Sequence, residues 1–152
     1  MKNPLRQIRR FSRNTGAVAV EFALVASVGG FMILLLGALE IARVLYYMNS
    51  ANEATELGAR VAIVCDADSA LIKQRMQQIF PALQSQNITI EYLPQNCATT
   101  ANSARASCAG VKVSIAAGMR INTVIPFVSF GFDMPAFATY KPREAMDSAN
   151  CT

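Results

Sequence analysis

A single carboxylate, that of Glu21, lies in an otherwise uncharged apolar run over residues 17–39. A charge inside a bilayer costs on the order of 2.5–3.5 kcal/mol, less near a helix end, so Glu21 either reaches for the interface or has a partner. A cut between Gly16 and Ala17 would create an α-amine four residues, or one helical turn, before Glu21. This amine, of the same chain or of a neighbouring one, would neutralise the carboxylate and set the register of helix packing.

Cysteine is the second chemically distinctive residue type. All the cysteines follow the apolar run, at Cys65, Cys97, Cys108 and Cys151. An even number of cysteines in a small domain outside the cytosol indicates two disulfides. Of the three possible pairings we favour Cys97–Cys108, which closes a polar segment, together with Cys65–Cys151, which pins the C-terminus to the end of a long helix.

Catalytic and metal-binding patterns are missing from the sequence. There is no histidine, no Cys-x-x-Cys, no Gly-x-Ser-x-Gly and no phosphate-binding loop. Asp66 and Asp68 are not followed by the remaining ligands of a calcium loop, so we interpret them as helix caps. We therefore expect no enzymatic activity, no metal and no cofactor.

Residues 17–39 form the element in which Glu21 lies. Their 23 residues span about 34 Å as a helix, enough for a hydrocarbon core of roughly 30 Å. The run is too long for the apolar core of a signal peptide, so we expect it to stay in the mature protein. The basic leader over residues 1–16 predicts a cytoplasmic N-terminus and an exported domain over residues 40–152.

The positive charge of the chain is confined to this leader. The net charge is +4, yet the leader alone carries +5 without any acid, which leaves −1 for the rest. The basic residues concerned are Lys2, Arg6, Arg9, Arg10 and Arg13. A nucleic-acid-binding face would spread its cations over the folded part, so we expect no nucleic-acid partner.

Beyond the membrane run, the pattern predicts a continued helix and then a small sheet. Apolar and small residues recur at helical spacing as far as residue 64, and the small ones favour packing on the protein's own sheet over a contact between subunits. We predict a second helix at 69–79, ended by Pro81. Alternating residues predict strands at 87–93, 110–119 and 138–141, with a loop at 94–109.

The segment over residues 121–137 is unusually aromatic. Its phenylalanines are Phe127, Phe130, Phe132 and Phe137, set among prolines and a glycine. We favour a core position for this segment, and the alternative is an apolar loop that faces a partner.

The N-terminal pattern resembles that of type IV pilins: a basic leader, a glycine, four small or apolar residues, a glutamate and a long apolar helix. The stretch from Gly16 to Val25 (GAVAVEFALV) is similar to the TadE-like family, the minor pseudopilins of tight-adherence (Tad/Flp) pilus systems. The segment that follows the membrane run, over residues 45–62, and the ending at 138–144 also resemble that family. Major Flp pilins are shorter and carry Glu-Tyr where this chain has Glu21 and Phe22, which favours a minor pseudopilin.

The resemblance implies a function and a set of partners. A prepilin peptidase would cut between Gly16 and Ala17, and Glu21 with Phe22 would serve assembly and register. The partners would be other pilin or pseudopilin subunits, an inner-membrane assembly platform and membrane lipid. The protein would reside in a bacterial inner membrane with a periplasmic domain, and on the cell surface after assembly. The alternative is an uncut, membrane-anchored assembly or scaffold factor of the same system.

The expected fold class is α+β and pilin-like. A long membrane-spanning helix continues as a spine and packs on a small antiparallel sheet, together with a second short helix.

Overall fold

The structure is a computed structural model that describes residues 8–125, 129–147, 149 and 151, with side chains described from residue 16 onward except at residue 101. The chain divides into two compact units, Met1–Ile41 and Ala42–Thr152. Of the predicted leader over residues 1–16, residues 1–7 lie outside the described part.

The described residues of the first unit belong to helix α1 (Ile8–Val64), which begins upstream of the predicted start at residue 17. The most apolar window of this helix is long enough to cross a membrane, and none of it is buried. Leaving so much apolar surface in water would be unfavourable, at roughly 25 cal/mol per Å². These properties indicate a membrane anchor.

The second unit combines the last part of α1 with short helices and strands. Its elements are α2 (Ala70–Ile79), a 3₁₀ helix (Ser85–Asn87), β1 (Ile88–Leu93), α3 (Ala101–Ser107), β2 (Gly110–Ile115), β3 (Arg120–Asn122), β4 (Gly131–Asp133) and β5 (Phe137–Pro142). This arrangement confirms the predicted α+β class.

The main sheet is antiparallel, in the order β1-β2-β5. Ile88 pairs with Ile115 at one end of the β1–β2 ladder, and Gly110 pairs with Pro142 at the end of the β2–β5 ladder. The central strand buries Val111, Val113 and Ile115, whereas the residues between them are partly exposed. This alternation is what a sheet with one core-facing side requires.

The small residues of α1 pack against this sheet and against α2. Ala51, Ala54, Ala59 and Ala62 are fully buried. A Cβ atom on Gly58 would lie 2.6 Å from Met76 Sδ and 3.2 Å from Val113 Cγ1. The predicted packing of the small stripe within the protein's own domain is therefore confirmed.

Some local predictions were wrong, for identifiable reasons. The segment 94–109 contains α3, whose first turn is closed by reciprocal hydrogen bonds between Thr100 and Ser103. Helix α2 begins after Ser69, and no side-chain hydrogen bond caps its N-terminus. The carboxylate of Asp66 forms an ion pair with Arg105 instead. The predicted aspartate cap is therefore absent from the N-terminus of α2. Strand β2 stops at Ile115, short of residue 119, and Gly118 follows in a turn with φ 91°.

Part of the aromatic segment packs on the core, the position that we favoured from the sequence. Strands β3 and β4 pair through Ile121 and Phe132, of which the first is buried and the second packs on the core. Phe137 also packs on the core, whereas Phe130 remains 64% exposed. Phe127 lies outside the described residues.

Candidate assembly site

The residues of the predicted processing and register site occupy consecutive turns of α1. Gly16, Ala17, Glu21 and Phe22 are all exposed in the single chain. A Cβ on Gly16 would meet no atom within 4 Å, so the fold itself does not demand glycine there. A requirement for glycine would therefore originate outside the folded chain.

The helical path determines what Glu21 can reach. Residues four apart on a helix are neighbours, so an α-amine at Ala17 would lie on the same face as the Glu21 carboxylate. In the uncut chain the nitrogen of Ala17 belongs to a peptide bond within the helix and carries no charge. Only cutting, or a second chain, would bring an amine to this position.

The two disulfides differ in the length of chain that they close. Cys65 pairs with Cys151 across 86 residues, with the Cα atoms 4.9 Å apart. Cys97 pairs with Cys108 across 11 residues, with the Cα atoms 5.1 Å apart. The structure thus has the pairing that we favoured from the sequence, and it leaves no described cysteine free.

The C-terminal segment is hydrogen-bonded to the last turn of α1. The backbone N–H groups of Glu144 and Met146 donate to the carbonyl of Ile63, at 3.3 and 3.1 Å, and that of Asp147 donates to the carbonyl of Val64 at 2.7 Å. The last carbonyls of a helix have no partners within the helix, so the tail satisfies groups that would otherwise need water. The Cys65–Cys151 disulfide fixes the same junction covalently.

Arg105 of α3 joins three segments at this junction, a role that we did not predict. Its guanidinium lies 2.6 Å from the Asp66 carboxylate and 3.4 Å from that of Asp147, and its Nε donates to the carbonyl of Met146 at 2.7 Å. The hydrogen bond to Asp66 raises the pKa of Arg105, against the opposing effect of burial. The sequence signal was weak, because these contacts join residues about forty positions apart.

A second ionic cluster holds β5 against α1. Glu56 accepts from Lys141 at 2.8 Å and from Arg60 at 2.9 Å. These contacts, that of Lys141 first, lower the pKa of the Glu56 carboxyl. Nearby, Thr139 and Thr55 form a hydroxyl–hydroxyl hydrogen bond of 3.2 Å, which satisfies the buried threonine of α1.

A groove of about 450 Å³ lies in the second unit, beside the first turns of α1 that belong to it. Arg43 donates to the backbone carbonyl of Asn122 at 2.9 Å, and its guanidinium lies 5.3 Å from the centre of the Tyr47 ring. Tyr47 in turn lies 5.8 Å from the ring of Phe80. The first contact ties β3 to α1, and the last packs α1 against the end of α2.

Among the described residues there is no group of three or more cysteine, aspartate or glutamate side chains that could hold a metal ion. The titratable side chains with shifted pKa values, Glu56, Tyr92 and Arg105, form structural contacts in the domain. Tyr92, for example, accepts the backbone N–H of Asp68 at 2.8 Å, and burial raises its pKa.

Comparison with known families identifies the N-terminal segment. Residues 16–60 match the model of the family described as TadE-like protein. The match contains Gly16, Ala17, Glu21 and Phe22 and covers less than a third of the chain. No curated protein and no solved structure matches the chain. The similarity to this family is found over residues 16–60.

Proposed function

We propose that this chain is a minor pilin or pseudopilin of a Tad (type IVc) pilus or a related secretion machine. A prepilin peptidase would cut between Gly16 and Ala17, and the mature chain would enter or prime the fibre. The observation that carries the proposal is the TadE-like match over residues 16–60, which spans the proposed cut, Glu21 and the membrane run. The continuous helix α1 supports it, because one element joins the processing site to the folded domain.

Glu21 gives the proposal its physical logic. An exposed carboxylate near the start of a membrane helix is unfavourable until an opposite charge pairs with it, and a low dielectric strengthens that pairing. Cutting supplies a new amine at Ala17 in every subunit. Pairing between the Ala17 amine of one chain and the Glu21 carboxylate of its neighbour would fix the stagger of packed helices, with Phe22 beside it.

The charge distribution and the disulfides support an exported domain. The leader contains basic residues and no acid, which favours retention on the cytoplasmic side. Two disulfides are typical of an oxidising compartment, so the second unit would lie in the periplasm and, after assembly, at the cell surface. The partners would be other subunits, the peptidase, the assembly platform and membrane lipid. We assign the chain no enzymatic activity of its own.

The experiment is the N-terminus and the intact mass of the membrane-extracted chain, produced with and without its prepilin peptidase. We expect a chain that begins at Ala17 only when the peptidase is present. A Gly16→Leu variant should stay uncut. Gly29→Leu is the matched control, because a Cβ on either glycine of the same helix would meet no atom within 4 Å.

A second readout separates processing from assembly. A Glu21→Gln variant keeps the size of the side chain and loses the charge, so it should be cut normally but should no longer co-purify with the other fibre subunits. Normal recovery with the fibre would contradict the pairing of Glu21 with an amine. The control is Glu53→Gln, since Glu53 is exposed on the same helix outside the apolar run.

An uncut anchor is the second candidate function. It is favoured by the start of α1 at Ile8, because the helix runs through the proposed cut without interruption. A chain that begins at Met1 with the peptidase present would overturn the pilin proposal. It would assign the protein to membrane-anchored assembly or scaffolding in the same system.

A further inference from the structure

The groove of about 450 Å³ in the second unit combines positive charge with apolar surface. Its basic side chains are Arg43 and Arg120, and no aspartate or glutamate is among the described residues that line it. Tyr47 and Met119, both partly exposed, supply apolar surface. All four residues belong to the second unit. A groove of this composition attracts a ligand that carries both a negative charge and an apolar group.

Arg120 brings a positive charge that is free to meet a ligand. Other basic side chains of the second unit pair with carboxylates, as Arg105 does with Asp66 at 2.6 Å and Lys141 with Glu56 at 2.8 Å. The exposed guanidinium of Arg120 forms no hydrogen bond or ion pair with any other residue that the structure describes. A guanidinium offers five N–H donors in a planar fork, which matches the two oxygens of a carboxylate.

The two basic side chains lie beside one cross-strand pair of the β3–β4 ladder, that of Asn122 with Gly131. Arg43 donates to the carbonyl of Asn122 at 2.9 Å, and its guanidinium lies 5.3 Å from the centre of the Tyr47 ring. Arg120 lies against Gly131, where an added Cβ would be 3.1 Å from the guanidinium Cζ. Because Arg43 is already held by these contacts, a ligand would meet its charge without the cost of ordering a long side chain.

Amide side chains of the groove favour a peptide over a simple anion. Asn87 and Asn122 line the groove, and their side-chain amides make no hydrogen bond within the described part of the chain. Each offers donors and an acceptor, which is what the N–H and C=O groups of a peptide backbone require. Inorganic phosphate mainly accepts hydrogen bonds, and it has no apolar group to place against Tyr47.

We propose that this groove binds an acidic peptide segment of a partner protein, in which a carboxylate lies next to an apolar side chain. The carboxylate would accept from Arg120, and the apolar side chain would contact Tyr47 and Met119. The volume of the groove lies within the range of about 300–1,000 Å³ that is typical of ligand sites. The proposal does not depend on cutting at Gly16, because every residue that it uses lies in the second unit.

Two peptides that differ only in charge provide the test. The full chain in non-ionic micelles would be titrated in a calorimeter with Gly-Glu-Phe-Glu-Gly, acetylated and amidated so that only its side chains are charged. The second peptide is Gly-Gln-Phe-Gln-Gly with the same blocked ends, and empty micelles correct for partition into detergent. We expect saturable binding of one acidic peptide per chain, and at least about tenfold weaker binding of the glutamine peptide, because hydrogen bonds between charged groups are the stronger ones.

A matched pair of variants locates the site. Arg120→Gln should raise the Kd of the acidic peptide by about tenfold or more, since it removes the charged donors. The control is Arg75→Gln on α2, which removes the same charge from the second unit. Arg75 also forms no hydrogen bond or ion pair with other described residues, and it does not line the groove. In the wild-type chain, the acidic peptide should shift the nuclear magnetic resonance signal of the Arg120 Nε–H group and leave that of Arg75 unchanged.

Three results would overturn the proposal. Equal binding of the two peptides, or no saturable binding of the acidic one at millimolar concentration, would exclude recognition of a carboxylate. An equal loss of affinity in Arg120→Gln and Arg75→Gln would reduce the effect to the net charge of the chain. Displacement of the peptide by an equal concentration of inorganic phosphate would make the groove a site for simple anions. The comparison of the two peptides needs no variant, so it holds even if a substitution destabilises the fold.

Discussion

The two disulfides should contribute very unequally to the stability of the second unit. A crosslink restricts the unfolded chain more when it closes a longer loop. The chain-entropy relation gives about 4.6 kcal/mol for the 86-residue separation of Cys65 and Cys151, and about 2.8 kcal/mol for the 11-residue separation of Cys97 and Cys108. The difference of about 1.8 kcal/mol corresponds to about twentyfold in the equilibrium constant for unfolding.

The perturbation is the replacement of both cysteines of a pair by alanine, so that no free thiol remains. Small domains are stable by about 5–15 kcal/mol in total, so the loss of Cys65–Cys151 should remove a large part of the stability. The backbone hydrogen bonds of the C-terminal segment to Ile63 and Val64 do not involve the cysteine side chains. They remain possible in that variant, so the loss of stability relative to wild type reports on the crosslink.

The assay is the free energy of unfolding in urea, with the full chain in a non-ionic micelle and the folded fraction read by brief proteolysis. The wild-type chain under reducing conditions is the control, and it should lose about the sum of the two contributions. If removal of Cys97–Cys108 costs as much as removal of Cys65–Cys151, or more, the reasoning from loop length is refuted.

Two further predictions concern the part of α1 that lies in the second unit. Gly58→Leu should lower the free energy of unfolding by about 1–3 kcal/mol in the same assay, because even a Cβ on Gly58 would lie 2.6 Å from Met76 Sδ. The control is Gly37→Leu on the same helix. It should have little effect, because a Cβ on Gly37 would meet no atom within 4 Å. Because its contact with Lys141 lowers the pKa of Glu56 in the folded state, the carboxylate stabilises the domain above the ordinary pKa of 4.5, and this contribution is lost as the pH falls through the lowered value. The stability advantage of wild type over Glu56→Gln should therefore shrink below pH 4.5, and an advantage that grows on acidification would contradict the assignment.

Much of the architecture could be predicted because its signals are local. An apolar run of 23 residues predicts a membrane helix whatever the fold of the rest of the chain, since insertion into a bilayer depends on the length and apolar character of the run itself. The small residues from Ala51 to Ala62 predict close packing, because only small side chains let a helix approach a sheet closely. The strands at residues 88–93 and 137–142 follow from alternation, which is also a local property.

The errors arose where weak local signals were misjudged or where distant partners decided. Helix α3 has only seven residues, and its signal was the pair Thr100 and Ser103, which we included in a loop. Asp66 resembles a cap in sequence, yet Arg105 is a better partner because it offers a charged hydrogen bond at 2.6 Å. No pattern near Asp66 reveals an arginine thirty-nine positions away.

The membrane run, the isolated carboxylate of Glu21, the TadE-like pattern and the α+β class could all be predicted from the order of residues, because periodicity, charge and cysteine count are properties of that order. Which apolar surfaces remain exposed could not be predicted in this way. Ile121 is buried whereas Val124 and Phe130 are exposed, although all three are apolar residues of one short segment. The physical reason is that burial depends on what the rest of the chain brings to each side of a strand. That information resides in contacts such as Arg43 with Asn122, between residues far apart in the sequence.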